Sequence, residues 1–199
     1  MNPISFSNRT LFELLNIGGY AILSADRNPA MGMAESQLTD AFIEERFDNL
    51  SNDLKKIYAF SHVVGRYDGA EEKSLLVVLH NDCPNDERTF FIGLGEKYNQ
   101  DSIIYVKQSF PVIQQMIYTT GLLNGTYVEG EGYEILSANT TDNYSRLKLC
   151  PDETISFTLN FNFDEAIFSD PNSRRLKTKI IHDHHKQNRQ WNKIHQQTN

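Results

Sequence analysis

Residues 20–29 read YAILSADRNP, a short apolar run that ends in an Asp-Arg-Asn-Pro turn. An apolar run between a Gly-Gly pair and a polar turn is typical of a buried strand. After this turn the apolar spacing lengthens to three to five residues, as at Leu38, Phe42 and Phe47, and this spacing predicts a helix. A strand followed by a helix is therefore the unit from which we build the fold.

The rest of the first half continues this alternation. Residues 58–64 and 74–80 are rich in β-branched and aromatic types, and the Asp68-Gly69 pair between them is expected of a hairpin turn. Helical spacing returns over residues 86–98, and residues 102–106 form another strand. The β-α-β-β-α-β order predicts an α+β fold, either ferredoxin-like or a variant of it, with both helices on one face of the sheet.

The second half has its clearest signal in residues 155–163, where apolar and polar residues alternate as in a half-buried antiparallel strand. Residues 112–118 fit a helix or a strand, and residues 125–136 fit a hairpin or a bent strand. We predict that C-terminal antiparallel strands extend or pack on the same sheet. The expected organisation is one domain over residues 1–173, followed by a basic C-terminal helix or tail over residues 174–199.

The composition fits a folded protein that needs no disulfide. A chain of 199 residues with 39% hydrophobic and 23% charged residues can bury its own core. Its two cysteines, Cys83 and Cys150, have the spacing of neither a zinc site nor a disulfide framework. No apolar run is long enough for a bilayer, and the first twenty residues lack the pattern of a secretory signal. We expect a soluble, cytoplasmic protein without metal or cofactor.

Charge is divided unevenly along the chain. The basic tail, residues 174–199, has seven Lys or Arg and one Asp, a net charge of +6, whereas the remainder has 12 basic and 25 acidic residues, a net charge of −13. The acidic body disfavours binding of nucleic acid, except through the tail. Arg174, Arg175 and Trp191 of the tail are predicted partner-binding residues, on another protein, on nucleic acid or on the acidic body itself. We favour docking on the body.

Other motifs that suggest chemistry have simpler explanations. His182 and His185 lie three residues apart in a His-Asp-His-His run, a spacing that suits a metal on a helix, but a solvated basic tail explains the run. His80 and Cys83 are close in sequence, yet a reactive thiolate also needs an imidazole within hydrogen-bonding distance and a third group to orient it. The sequence therefore identifies no catalytic residue.

Short motifs in the first half resemble a known family. They are SADRNP at residues 24–29, Val64-Gly65, EKSLLV at residues 72–77 and KYNQDSIIY at residues 97–105. In this order they resemble the bacterial family called domain of unknown function 3293, over about residues 20–107. The resemblance implies a compact α+β fold and no particular activity.

The resemblance and the predicted fold together indicate which polar residues gather. Asn28 follows the first strand, Glu35 begins the first helix, and Gln100 precedes the fourth strand. Glu72 and Ser74 open the third strand. A helix N-terminus beside carboxylate, amide and hydroxyl groups can hold a phosphate or another small polar ligand, so these five residues form a predicted ligand site. Turn, cap and loop hydrogen bonds are the simpler explanation for each residue alone.

Two main classes of function remain. The first is a non-enzymatic accessory protein that binds a protein partner or a small polar ligand, and its content of Asn, Lys, Ile and Tyr suits a phage or AT-rich bacterial gene. The second is a small hydrolase or transferase that acts on a phosphate-containing substrate through Glu35, Glu72 and Gln100. A nucleic-acid-associated protein acting through its basic tail is a further alternative. We favour the first class because no motif requires catalysis; convergence of the polar residues in one pocket with perturbed ionisation would favour the enzyme.

Overall fold

The structure, a computed structural model, describes residues 17–28, 31–67, 70–80, 86–137, 143–150, 152–163, 182–187 and 189–190. Within these ranges the chain forms eight strands that pair antiparallel in one closed barrel. The strands are β1 (Gly19–Ser24), β2 (Phe60–Tyr67), β3 (Ala70–Val78), β4 (Ser102–Lys107), β5 (Ile113–Tyr118), β6 (Tyr127–Leu136), β7 (Tyr144–Cys150) and β8 (Glu153–Phe161).

The order of strands around the barrel is β1-β3-β2-β7-β8-β6-β5-β4, and β4 pairs with β1 to close it. The four N-terminal strands are neighbours on one side, and the four C-terminal strands form the other side. Closure pairs both edges of every one of these strands, which removes the exposed edges that an open sheet would present.

Several helices lie between the strands. Those between β1 and β6 are α1 (Met33–Ser36), α2 (Asp40–Leu54), α3 (Asp86–Lys97) and a short 3-10 helix (Gly121–Leu123). The hydroxyl of Thr39 accepts a hydrogen bond from the N–H of Phe42 at 3.3 Å, which caps the start of α2. In the part of the chain that the structure describes, no helix is both long and apolar enough to cross a membrane.

The alternation of side chains along the strands produces two apolar clusters. The inward-facing residues fill the barrel, and they include Tyr20, Ile22, Leu76, Val78, Ile104 and Val106. The outward-facing residues of the same three strands pack against α2 and α3, and they include Ala21, Leu23, Leu75, Val77, Ile103 and Tyr105. Because β1 is buried on both faces, its sequence is a continuous apolar run rather than an alternating one.

The predicted ferredoxin-like α+β fold, and its variants with an open sheet, are wrong. The elements as far as β4 occur in the predicted β-α-β-β-α-β order, but the sheet does not remain open. The C-terminal antiparallel strands are half of a closed barrel rather than an extension, because β5 pairs with β4 while β7 pairs with β2. Edge pairing at both ends of the N-terminal sheet is the physical reason for the difference.

The ambiguous segments of the second half are resolved as strands. Residues 113–118 are β5, and β6 is one bent strand whose register shifts between Gly130 and Gly132. The alternating segment is β8, with Phe157 buried in the barrel and Ile155, Leu159 and Phe161 packed against the same cluster. The predicted Asp68-Gly69 turn lies outside the described residues, although β2 and β3 pair antiparallel up to Tyr67 and Ala70.

Candidate functional site

One end of the barrel opens into a cavity of about 350 Å³, at the end where β1 finishes and where β3, β4 and β7 begin. Its apolar wall is formed by Ile22, Ile104, Met116, Phe157, Leu159 and Phe161. Its polar wall is formed by Asp26, Asn28, Glu72, Ser74, Gln100 and Asp101. Small-molecule sites have volumes of roughly 300–1,000 Å³, and an eight-stranded barrel is just wide enough for one small ligand.

The cavity exists because two small residues lie in the same row of cross-strand pairs as a carboxylate. Across the strands, Glu72 pairs with Gly65, Gly65 with Ser145, and Ser145 with Phe157. All four face inward, because residues two or four positions apart in a strand share a face. Glu72, for example, shares its face of β3 with Leu76, a member of the interior cluster. Glycine and serine fill little volume, so space remains between the Glu72 carboxyl group and the Phe157 ring.

The environment of Glu72 disfavours its charged form. Burial raises the pKa of this carboxyl group from 4.5 to about 7, and the negative charges of Asp26 and Asp101 contribute in the same direction. The Ser24 hydroxyl opposes the shift, although its single proton is donated to the carbonyl oxygen of Lys73 at 2.7 Å. A carboxyl group with a pKa near neutrality can exchange its proton at physiological pH.

Two residues of the polar wall each have a buried acceptor atom without a hydrogen-bond partner among the described residues. The atoms are Oε1 of Gln100 and Oδ1 of Asp101. The backbone of Gln100 is held firmly, because its carbonyl oxygen accepts from the hydroxyls of Thr119 and Thr120 at 2.7 and 2.8 Å. An unsatisfied buried acceptor costs about 1–3 kcal/mol, which a ligand with a suitably placed donor would offset.

Asn28 lines the cavity and also connects three segments of the barrel rim. Its Nδ2 donates to the carbonyl oxygen of Asn99 at 2.8 Å and to the hydroxyl of Thr120 at 2.7 Å. Its backbone N–H donates to Oε2 of Glu35 at 3.0 Å. The loops that follow β1, precede β4 and follow β5 are therefore tied together at one side chain.

Glu35 lies behind this rim, and it is not among the residues that line the cavity. Its carboxylate is buried and accepts from Nη1 of Arg46 at 3.2 Å and from Nδ2 of Asn99. The guanidinium of Arg46 also donates from Nε to the carbonyl oxygen of Ala25 at 2.7 Å. These contacts give Glu35 a structural role, in which it attaches α1 and α2 to the end of β1.

The C-terminal segment approaches the cavity from outside. Residues 182–187 and 189–190 are helical, and Nε2 of His184 lies 2.9 Å from Oδ2 of Asp101. Nε2 of His185 lies 2.8 Å from the hydroxyl of Tyr118. His182, His185 and Arg189 contribute to the cavity wall. Within the described ranges, no group of three or more His, Cys, Asp or Glu residues is arranged to hold a metal ion.

Four of the five predicted ligand residues converge on this one cavity. They are Asn28, Glu72, Ser74 and Gln100. Their role in ligand binding stays a prediction, as does that of Glu35. The predicted partner-binding residues Arg174, Arg175 and Trp191 lie outside the described residues, and so does Cys83.

Sequence reasoning missed two kinds of residue at the site. The first comprises Asp26 and Asp101, which lie within two residues of Asn28 and next to Gln100 and which carry charge into the same cavity. Proximity to the predicted residues was the available signal. The second comprises Phe157 and Phe161 of β8. The alternation of apolar and polar residues in this strand was visible in the sequence, but nothing indicated which residues its inward face would contact.

Comparison of the chain with models of known protein families finds no match, and no curated protein matches it either. The resemblance of residues 20–107 to domain of unknown function 3293 accordingly stays a prediction.

Proposed function

We propose that this protein is a non-enzymatic binding protein that holds one small ligand in the barrel cavity. The observation that carries the proposal is the convergence of Asn28, Glu72, Ser74 and Gln100 on a cavity of about 350 Å³. Small-molecule sites typically combine a mostly apolar wall with a few polar groups that orient the ligand. The apolar wall and the polar wall of the cavity supply these two parts.

The proposal is tested by filling the cavity. Ser145 is 2% exposed, faces inward and lies beside Gly65, so the change Ser145→Leu places a larger apolar side chain in the cavity. A library of metabolites that includes amines, sugars, nucleotides and sugar phosphates is screened by thermal shift, and the hits are measured by titration calorimetry. We expect hits on the wild type whose affinity falls at least about tenfold in Ser145→Leu, because ligand and side chain compete for one volume.

The control is Thr154→Leu, the same kind of enlargement at an exposed position of β8. If Ser145→Leu does not fold, as judged by circular dichroism, the smaller change Ser145→Val replaces it. A screen without hits would contradict the proposal. Hits that bind the filled variant with unchanged affinity would also contradict it.

A second candidate function is proton-transfer catalysis, and the pKa of about 7 at Glu72 favours it. In the hydrolase or transferase that the sequence suggests, Glu72 and Gln100 line the cavity, whereas Glu35 does not. The carboxylates of Asp26 and Asp101 repel a phosphate group, so this substrate class is less favourable than a neutral or cationic one. Turnover of p-nitrophenyl phosphate or p-nitrophenyl acetate that is lost in Glu72→Gln would favour the enzyme, and no turnover would favour the binding protein.

An accessory role in the cytoplasm, in a phage or bacterial setting, also belongs to this proposal. The basic tail with Arg174, Arg175 and Trp191 supports a second contact with a protein partner or with nucleic acid. Binding of a labelled single-stranded oligonucleotide, followed by fluorescence anisotropy, distinguishes the two. Affinity that falls steeply with salt, and that falls further in Trp191→Ala, would indicate nucleic acid; no binding would leave the protein partner.

A further inference from the structure

We infer that the cavity selects an organic cation, namely an ammonium head group attached to an apolar body about the size of an aromatic ring. This inference rests on the proposed binding function and specifies the chemical class of the ligand. It follows from the charges, the acceptor atoms and the apolar surface that meet on the cavity wall.

The inner wall of the cavity carries an excess of negative charge. Asp26, Glu72 and Asp101 all contribute carboxyl groups there. The nearby Arg27 is already engaged, since its Nη2 donates to the carbonyl oxygen of Leu38 and to Oδ1 of Asp40, each at 2.7 Å. A buried carboxylate that gains a cationic partner recovers much of the free energy that it loses on leaving water.

Other charged or titratable groups also line the cavity. Glu71 is 65% exposed and pairs with Arg146. His182, His185 and Arg189 belong to the C-terminal segment, in which Arg189 is exposed. Nε2 of His184 lies 2.9 Å from Oδ2 of Asp101, so the carboxyl groups of Asp26 and Glu72 contribute most of the excess.

Residues of the cavity wall also have more hydrogen-bond acceptors than donors to satisfy them. Oε1 of Gln100 and Oδ1 of Asp101 are buried and lack partners among the described residues. An ammonium group has three N–H donors and no acceptor, so it can satisfy several acceptors at once without adding another. A carboxylate or phosphate brings only acceptors, and it would add negative charge to a wall that already carries three carboxyl groups.

Another part of the cavity wall is aromatic and apolar. Phe157 and Phe161 contribute aromatic rings to the wall, and Met116 contributes a thioether. Aromatic rings pack against an apolar ligand body, and their faces also attract a cation within about 6 Å. An apolar body on this wall therefore leaves its head group directed towards Glu72.

The test uses three probes that share a phenyl body and differ in head group: phenethylamine, 2-phenylethanol and phenylacetate. Titration calorimetry of the full chain at pH 8, where the amine is protonated and Glu72 is mostly ionised, compares their affinities. We expect phenethylamine to bind about tenfold more tightly than 2-phenylethanol, and phenylacetate to show no measurable binding. Phenylacetate that binds as tightly as phenethylamine would overturn the inference.

The variant Glu72→Gln keeps the shape of the side chain and removes its charge. It should lower the affinity for phenethylamine about tenfold and leave that for 2-phenylethanol within about twofold. The control Glu134→Gln makes the same change at an exposed position of β6 that does not line the cavity, and should alter neither affinity. Unchanged amine affinity in Glu72→Gln would overturn the inference.

Failure of the ligand class is distinguishable from failure of the cavity. Binding of the alcohol or the carboxylate in preference to the amine, blocked by Ser145→Leu, would reject the cation and retain the cavity as a binding site. No binding of any probe also rejects the cation inference, while the library screen with the filled variant decides the broader function.

Discussion

The covered side of the barrel, β1, β3 and β4 beneath α2 and α3, differs sharply from the open side, β6 and β8. Every residue of β1 is buried, whereas in β6 only Val128 is. In β6, Tyr133 and Ile135 pair with the inward-facing Leu159 and Phe157 of β8, yet they are 48% and 55% exposed. The strands beneath α2 and α3 are thus buried more completely than β6. The covered side should therefore contribute most of the stability.

The largest contrast is expected between the ion pairs of the two sides. On the covered side, Arg46 and Glu35 are 11% and 7% exposed; at the junction with the open side, Arg146 and Glu71 are 36% and 65% exposed. The change Glu35→Ala leaves a buried guanidinium unpaired and should lower the free energy of unfolding by about 3–5 kcal/mol. Glu71→Ala should cost less than about 1 kcal/mol. Urea denaturation measures both, and equal costs would contradict the contrast.

Truncation of apolar side chains tests the same contrast without charge. Leu75 is fully buried between β3 and the helices, while Ile135 of β6 is more than half exposed. Leu75→Ala should lower the free energy of unfolding by about 3 kcal/mol, because it leaves a cavity that the packed helices cannot fill. Ile135→Ala should cost less than about 1 kcal/mol. A cost at Ile135 that approaches the cost at Leu75 would show that the Ile135 side chain is buried in solution.

The pH dependence of stability probes the cavity between the two sides. The pKa of Glu72 is 4.5 when the chain is unfolded and about 7 when it is folded, so the folded state binds the proton more tightly. Glu72 therefore lowers stability as pH rises from 4.5 to 7, by up to about 3 kcal/mol, and the loss persists above pH 7. Glu72→Gln should be about 2–3 kcal/mol more stable than wild type at pH 8 and equally stable at pH 4.

Denaturation at a series of pH values checks this dependence. Asp26 and Asp101 stand beside Glu72, and His182 and His185 also line the cavity. These groups titrate in wild type and variant alike, so the difference between the two isolates Glu72 to first order. A difference that does not vary with pH would contradict the shifted pKa.

The sequence predicted the elements better than the architecture, and the two sides explain why. Strands and helices between β1 and β4 are recognisable because each has a local signal, either an apolar run or a helical spacing. Closure depends on pairing between distant segments, as between Val63 of β2 and Leu147 of β7. A local pattern does not predict with which distant strand the edge of a sheet will pair. An open sheet and a closed barrel therefore have the same local signals.

The candidate site was predictable to the extent that it depends on strand ends. Asn28 and Gln100 were expected to be close because β1 ends where β4 begins, and antiparallel pairing of β1 with β4 produces this proximity in the barrel as it would in an open sheet. The volume of the cavity was not predictable. It depends on Gly65 and Ser145 lying in the same row of cross-strand pairs as Glu72. The pairing of Gly65 with Ser145 connects two segments that are about eighty residues apart in the sequence.

The smallest contrast concerns one glycine from each side, and the two should respond in opposite directions to the same change. Gly132 of β6 has a φ of +114°, beside the shift of register in this strand, whereas Gly93 lies within α3. No described heavy atom lies within 4 Å of a Cβ added at either position, beyond the immediate chain and helix backbone, so backbone conformation alone decides the outcome. Gly132→Ala should cost about 1–2 kcal/mol because an L-residue is strained at this φ. Gly93→Ala should add about 0.5–1 kcal/mol because alanine is the better helix former. Urea denaturation of the two variants measures both changes, and a neutral Gly132→Ala would show that β6 can relax its bend, which a strand packed under helices on its outer face could not do.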